Sequence, residues 1–202
     1  YRIKTFFSKE PETLSWIDKF KNKSIFWDIG ANIGLYSLYS QFLNKEIEVI
    51  SFEPSILNLP SLIKNIHKNK LENNISVITN PIYNNSLINK FNLSDIEEGA
   101  ANSNFNSTEL ANSTKLSYKT NSLDFKNIKE IYDMKTPDYV KIDVDGNEFQ
   151  ILESLLSNYQ TIKSILIEVN KNADKIETIL KDKNYQNTFK KHGRSNQIWE
   201  KT

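Results

Sequence analysis

Four short apolar runs, each ending in an acidic residue, constrain this chain more than any other feature. Ile25-Phe26-Trp27 runs into Asp28, Ile47 to Phe52 into Glu53, Asp138 to Ile142 into Asp143, and Ser164 to Ile167 into Glu168. Runs of this length without polar alternation read as strands buried on both faces, as in a mostly parallel sheet. Helices must then cover both faces of that sheet. Ligands of such folds bind outside the carboxyl ends of the strands, near the switch point. The acids at the run ends are therefore the residues to follow. Asp143 and Glu168 close neighbouring runs, so both are expected in one crevice.

The segments between the runs carry helical spacing. Pro11 to Phe20 places Trp16, Ile17 and Phe20 on one face. Ile33 to Asn44 is expected to turn Leu35, Leu38 and Phe42 inward, and Ser55 to Lys68 to turn Leu59, Leu62, Ile63 and Ile66 inward. Phe149 to Leu156 and Asp174 to Lys183 are further helices. Ile75 to Thr79 is a third strand, Leu87 to Leu93 and Leu116 to Thr120 are weaker ones, and Tyr185 to Phe189 with Gln197 to Glu200 reads as a closing hairpin. At 202 residues the chain is expected to be one domain. Residues 1–22 form an N-terminal helical extension and 80–121 an insertion. The polar stretch Asp95 to Thr114 exceeds the length of about 12–15 residues usual for loops in compact domains. It is either a lid, with Gly99 to Phe105 on the acceptor side of a pocket, or an Asn-rich insertion.

Composition removes several function classes. With no Cys there is no disulfide framework, thiolate metal site or cysteine nucleophile, and His67 and His192 alone make no His-rich metal site. A net charge of +1 lacks the basic surplus usual for nucleic-acid binders. No apolar run is long enough to span a membrane, and the start carries no signal-peptide stretch. A cytoplasmic, bacterial protein is expected. Tyr1 in place of an initiator Met suggests a processed chain or a piece of a longer one.

The first run ends in the turn Asp28-Ile29-Gly30-Ala31-Asn32-Ile33-Gly34. Its glycines permit a tight turn and close approach of a ligand to the backbone. The spacing is not that of the dinucleotide fingerprint, and the leading carboxylate suits a cationic ligand group better than a pyrophosphate. The bland reading is a strand-to-helix turn with Asp28 as a cap. Glu53, with Pro54 turning the chain after it, lies about 20 residues beyond the first glycine, where nucleoside-binding folds place the acid that takes ribose hydroxyls. Lys141 reads as an ordinary strand-edge charge and Glu148 as a first-turn helix acid.

The stretches Lys9 to Thr13, Asp28 to Gly34, Phe52-Glu53-Pro54, Lys141 to Gly146 and Ile167-Glu168-Val169, taken in order, resemble the FkbM family of S-adenosylmethionine-dependent methyltransferases. The resemblance implies a class I methyltransferase Rossmann-like fold, a mostly parallel seven-stranded sheet with a reversed last strand. It also implies O-methylation of hydroxyls on sugars or small natural products. It makes Asp28, Gly30, Asn32 and Gly34 the methionine-binding loop, and Glu53 and Pro54 the ribose side. The chain departs from the family at Asn80 to Asn84, where no adenine contact is assigned, and at Asp145, where the family commonly has Glu.

Methyl transfer to a hydroxyl needs donor and acceptor held in line, with a base within reach. The candidates are Asp143 first, Glu168 second and His192 third. Asp143, Glu168 and Asn170 offer oxygen ligands of the kind Mg²⁺ takes, but no metal is expected. A small-molecule or glycan acceptor is expected, and no nucleic acid. The competing readings are a nicotinamide-dependent oxidoreductase, a nucleoside-binding module without catalysis, and an RNA methyltransferase.

Overall fold

A computed structural model describes residues 2–101, 103–106, 113–190 and 196–202. Seven strands form one sheet: β1 (Ile25–Ile29), β2 (Glu48–Phe52), β3 (Ile75–Ile78), β7 (Tyr139–Ile142), β8 (Ser164–Glu168), β9 (Tyr185–Lys190) and β10 (Asn196–Lys201). Their order is β3-β2-β1-β7-β8-β10-β9. All neighbours are parallel except β10, which runs antiparallel to both β8 and β9. This is the expected sheet with a reversed last strand, and β1 and β7 flank the point where the strand order reverses. Three more strands, β4 (Ile88–Leu93), β5 (Ser103–Phe105) and β6 (Leu116–Asn121), form a separate antiparallel sheet with β4 in the middle.

Seven helices complete the described chain: α1 (Arg2–Lys9), α2 (Pro11–Ile17), α3 (Leu35–Leu43), α4 (Leu59–Lys68), α5 (Phe125–Tyr132), α6 (Glu148–Asn158) and α7 (Ala173–Asp182). Pro11 and Pro60 sit in the first turns of α2 and α4, where a missing N–H costs nothing. Asp124 caps α5 by accepting from the Asn127 amide at 2.8 Å.

Successive residues of each strand feed opposite faces of the sheet. Trp27, Val140, Ile142, Ile165 and Ile167 pack with α5, α6 and α7, around Phe125, Leu152 and Ile176. Phe26, Val49, Tyr139 and Leu166 pack against α2 and α4, around Trp16, Leu62 and Ile66. Both layers are rich in aromatic residues. Among the described residues no helix is long and apolar enough to cross a membrane.

Three sequence expectations need correction. Phe42 is 78 % exposed, not inward: the buried side of α3 is Ser37, Ser40 and Gln41, because this helix packs on a polar row of the sheet. Ile63 is 51 % exposed, since only Leu62 and Ile66 of α4 reach the core. The polar stretch after Asp95 contains a strand, β5, which pairs Phe105 with Phe91. Helix α5 had no counterpart in the sequence reading.

Candidate active site

The turn after β1 is fixed from both sides. Gly30 and Ala31 donate to the Phe52 carbonyl at 2.9 and 3.0 Å, and Asp143 donates to the Ile29 carbonyl at 3.0 Å. Gly30 has φ +85°, and a Cβ there would stand 2.0 Å from the Asp143 carbonyl oxygen. Only glycine brings the end of β1 this close to the end of β7. Gly34 also has positive φ, and its Cβ would meet Leu62 Cδ1 at 2.4 Å. Its task is to seat α3 on α4, and it does not line the cavities described below.

Glu53 lies at the end of β2, buried. One oxygen accepts from the Asn32 amide at 2.7 Å, the other from the Ser55 amide at 2.8 Å and, more loosely, from Asn58 at 3.5 Å. Burial pushes its carboxyl up to about 7, against the pull of those donors. Asn32, at φ 54°, ties the same turn to the cap formed by the small sheet and the segment before β5.

Asp28 does not reach the crevice. Its carboxylate is wholly buried under the turn, with one oxygen accepting from the Ser37 hydroxyl at 2.7 Å. The other oxygen stands 3.8 Å from Lys141 Nζ. The register dictates this: β1 pairs Asp28 with Ser51 on one side and with Lys141 on the other. Lys141 is therefore no strand-edge charge. It is 1 % exposed in a central strand, its ammonium 2.7 Å from Asp143 Oδ2 and 4.9 Å from the centre of the Tyr36 ring. Burial disfavours the Asp28 anion and raises its carboxyl, with Lys141 opposing. Burial would also raise Asp143, but the bonded Lys141 ammonium outweighs it and holds Asp143 below the usual carboxylate range.

Two cavities open around this frame. The first, about 220 Å³, runs from Phe52, Glu53, Pro54 and Asn80 to Ile82, past Gly30 and Asn32, to Asp143, Asp145 and Glu168. The second, about 760 Å³, lies beyond the turn, under Phe6 and Glu10, with Tyr36 and Lys141 in its wall and Glu97 and Glu98 at the cap. Lys9, Gly30, Asn32, Ala100, Ala101 and Asp143 border both.

The cap is held to the turns by side-chain-to-backbone bonds. Asn32 donates to Ala100 O at 2.9 Å, and the Gly99 amide donates to Asn58 Oδ1 at 2.9 Å. The Ser103 amide donates to Asp145 at 2.8 Å, and Asn147 donates to Phe105 O at 2.9 Å.

The structure thus brings together Gly30, Asn32, Glu53, Pro54, Asp143 and Glu168 around one cavity. It sets Asp28 and Gly34 behind them. His192 lies outside the described residues. Sequence reasoning missed Glu10, which is buried and accepts from the Tyr36 hydroxyl at 2.7 Å and pairs with Lys9 at 2.8 Å. Its only sequence signal was its place in the Lys9 to Thr13 stretch. Glu148 is the first-turn acid of α6 that the sequence predicts, and its buried carboxylate also accepts from the Gly146 amide at 3.1 Å and shapes the turn after β7. Among the described residues no group of three or more acids or histidines is placed to hold a metal ion.

The family model described as the Methyltransferase FkbM domain matches residues 28–187. An FkbM methyltransferase from Methylobacillus flagellatus KT superposes with a TM-score of 0.62 at 15% identity, covering 90% of this chain and 44% of that one. This chain thus spans less than half of that protein. A precorrin-6y C5,15-methyltransferase from Geobacter metallireducens GS-15 superposes at 0.58 and 14% identity, covering 96% and 87% of the two chains. A Streptococcus pneumoniae protein described as a tRNA (m1A22) methyltransferase, in complex with S-adenosyl-L-methionine, gives 0.52 at 15% identity, covering 94% and 72%. At such identities the likeness is one of fold. No curated protein matches the sequence.

Proposed function

The chain belongs to the FkbM methyltransferase family, and we propose that it moves a methyl group from S-adenosylmethionine to a hydroxyl of a sugar or similar small acceptor. The observation that carries this reading is the convergence, in one cavity, of the Gly30 turn, the Glu53 carboxylate and the Asp143–Glu168 pair. The residues suit the donor. Glu53 keeps spare lone pairs for ribose hydroxyls, since its amide contacts use only part of its acceptor capacity. The missing Cβ at Gly30 leaves backbone that a ligand can approach closely. Asp143, held ionised, takes over the task that the sequence reading gave to Asp28, facing the donor's cationic end.

Bound there, the donor supplies an electrophilic methyl on a sulfonium, and transfer leaves S-adenosylhomocysteine and a methyl ether. The chain's part is to align the acceptor oxygen and receive its proton. A carboxylate held low is a weak base near neutral pH. Its partnership with Glu168 makes the two a single proton acceptor whose affinity belongs to the pair. The acceptor reaches Asp143 through the second cavity, past the packed rings of Phe6 and Tyr36. Glu97 and Glu98 line that entrance, which disfavours a phosphate-rich acceptor.

Thermal denaturation with S-adenosylhomocysteine and with NAD⁺ tests the donor assignment. At a hundred times its dissociation constant a ligand stabilises by about 2.7 kcal/mol, a shift of roughly 5–10 °C at this size. A shift with the adenosyl compound that Glu53→Ala removes is the expected result. A shift with NAD⁺ alone would overturn the reading. Transfer of labelled methyl to methyl glycosides rather than to RNA checks the acceptor class, and labelled RNA in place of glycoside would move the reading to the RNA methyltransferases.

A further inference from the structure

We propose that Lys141 is a positioning residue for Asp143, pinning its carboxylate at the wall shared by the two cavities so that it can hold the α-ammonium of the donor, a group that S-adenosylhomocysteine retains. The inference rests on the donor-site reading above. Lys141 is the one fully buried lysine among the described residues, and it stands in β7 between β1 and β8. Burying an ammonium is costly, and an apolar replacement of a whole buried ion pair is often neutral or stabilising. The ammonium stands 3.8 Å from Asp28 Oδ1, a buried oxygen without a hydrogen-bond partner, while the other Asp28 oxygen has Ser37. The short contact, 2.7 Å, is to Asp143, the acid that borders both cavities. One Asp143 oxygen is thereby fixed from behind.

The charged neighbours of Lys141 are Asp28 from β1, Glu10 from the link between α1 and α2, and Asp143 from the end of β7, and the ring of the neutral Tyr36 from α3 faces it as well. Asp143 in turn faces Lys141, Glu168 and Lys9. Glu10 is already satisfied by Lys9 and Tyr36. Lys141 is thus the buried cation that the two strand-end aspartates share. Without it they confront each other as like charges, and the cavity-facing one takes up a proton more readily.

The test is calorimetric titration of S-adenosylhomocysteine into the full chain between about pH 5.5 and pH 8, for wild type, Lys141→Arg and Lys141→Met. The ratio of variant to wild-type affinity cancels the titration of Glu53, which all three share. Lys141→Met is expected to bind roughly tenfold more weakly at the acid end and to recover toward the alkaline end, a tenfold change answering to one pK unit. Lys141→Arg is expected to restore most of the loss. A folded Lys141→Met whose ratio stays constant with pH would overturn the proposal. Should that variant not fold, Asp28→Asn/Lys141→Met removes the stranded buried acid, and it must show the same pH-dependent ratio. A constant ratio there overturns the proposal equally. A wild type that does not bind S-adenosylhomocysteine overturns the donor-site reading and this inference with it.

Discussion

The cradle around Gly30 and Glu53 and the cap around β4–β6 border the same cavity but are held in different ways. The cradle is locked by strand register: Gly30, Ala31 and Glu53 donate into the backbone of neighbouring strands, over a fully buried core. The cap reaches the cradle through Asn32, Asn58, Tyr118, Asp145 and Asn147, each making a side-chain-to-backbone bond. Its own apolar cluster is small, built on Phe91, Leu93 and Phe105. Bonds of this kind contribute about 1 kcal/mol each. The cradle should therefore hold its shape without ligand, while the cap opens at modest cost to admit one. Register supplies preorganisation, and a few polar tethers supply access.

The largest effect should come from breaking the cradle. Gly30→Ala forces a Cβ into the Asp143 carbonyl and an L-residue into left-handed backbone, for a combined loss of about 4 kcal/mol. Guanidinium denaturation measures it. Gly34→Ala is expected to cost less, because the obstacle is the tip of the Leu62 side chain, which can move. Equal losses would show that the close approach of β1 to β7 is not what fixes the turn.

Glu53 sets the next effect, through pH. Its carboxyl stands at about 7 when folded, above its unfolded value of 4.5, so the folded chain binds that proton more tightly. This stability is fully present below the unfolded value and is lost as pH rises through about 7, by about 3 kcal/mol in all. Glu53→Gln should remove the slope, becoming more stable than wild type above neutral pH while losing the shift with S-adenosylhomocysteine. Parallel stability–pH curves for the two proteins would mean that the carboxyl is not raised.

The smallest effects belong to the cap. Asn147→Ala and Asn58→Ala should each cost about 1 kcal/mol. Hydrogen exchange should quicken at Gly99 and Ser103 to Phe105 while the amides of β1 and β2 stay protected. Uniform loss of protection across both regions would make cradle and cap one cooperative unit.

Much of the cradle was legible because its signals are local. The apolar runs before Asp28, Glu53, Asp143 and Glu168 become strands of one sheet, and four of the six residues expected at the donor, Gly30, Asn32, Glu53 and Pro54, border one cavity. The cap was poorly legible because β5 is three residues long and owes its existence to pairing with β4, which no local pattern records. The inward faces expected of α3 and α4 failed at Phe42 and Ile63 because exposure depends on what each helix packs against.

By itself, the sequence determined which segments are strands, which turns are tight, and which acids close the strands. Those follow from side-chain shape and hydrophobic spacing along a few neighbouring residues. Only the tertiary structure decided that Asp28 turns inward while Asp143 faces the cavity, that Lys141 lies between them, and that Glu10 joins the network from more than a hundred residues away in the chain. Cross-strand register makes these choices, because it pairs Asp28 with Lys141 only once β1 and β7 are neighbours. A charge becomes buried or accessible by its neighbours in space, and those are set by the order of strands in the sheet.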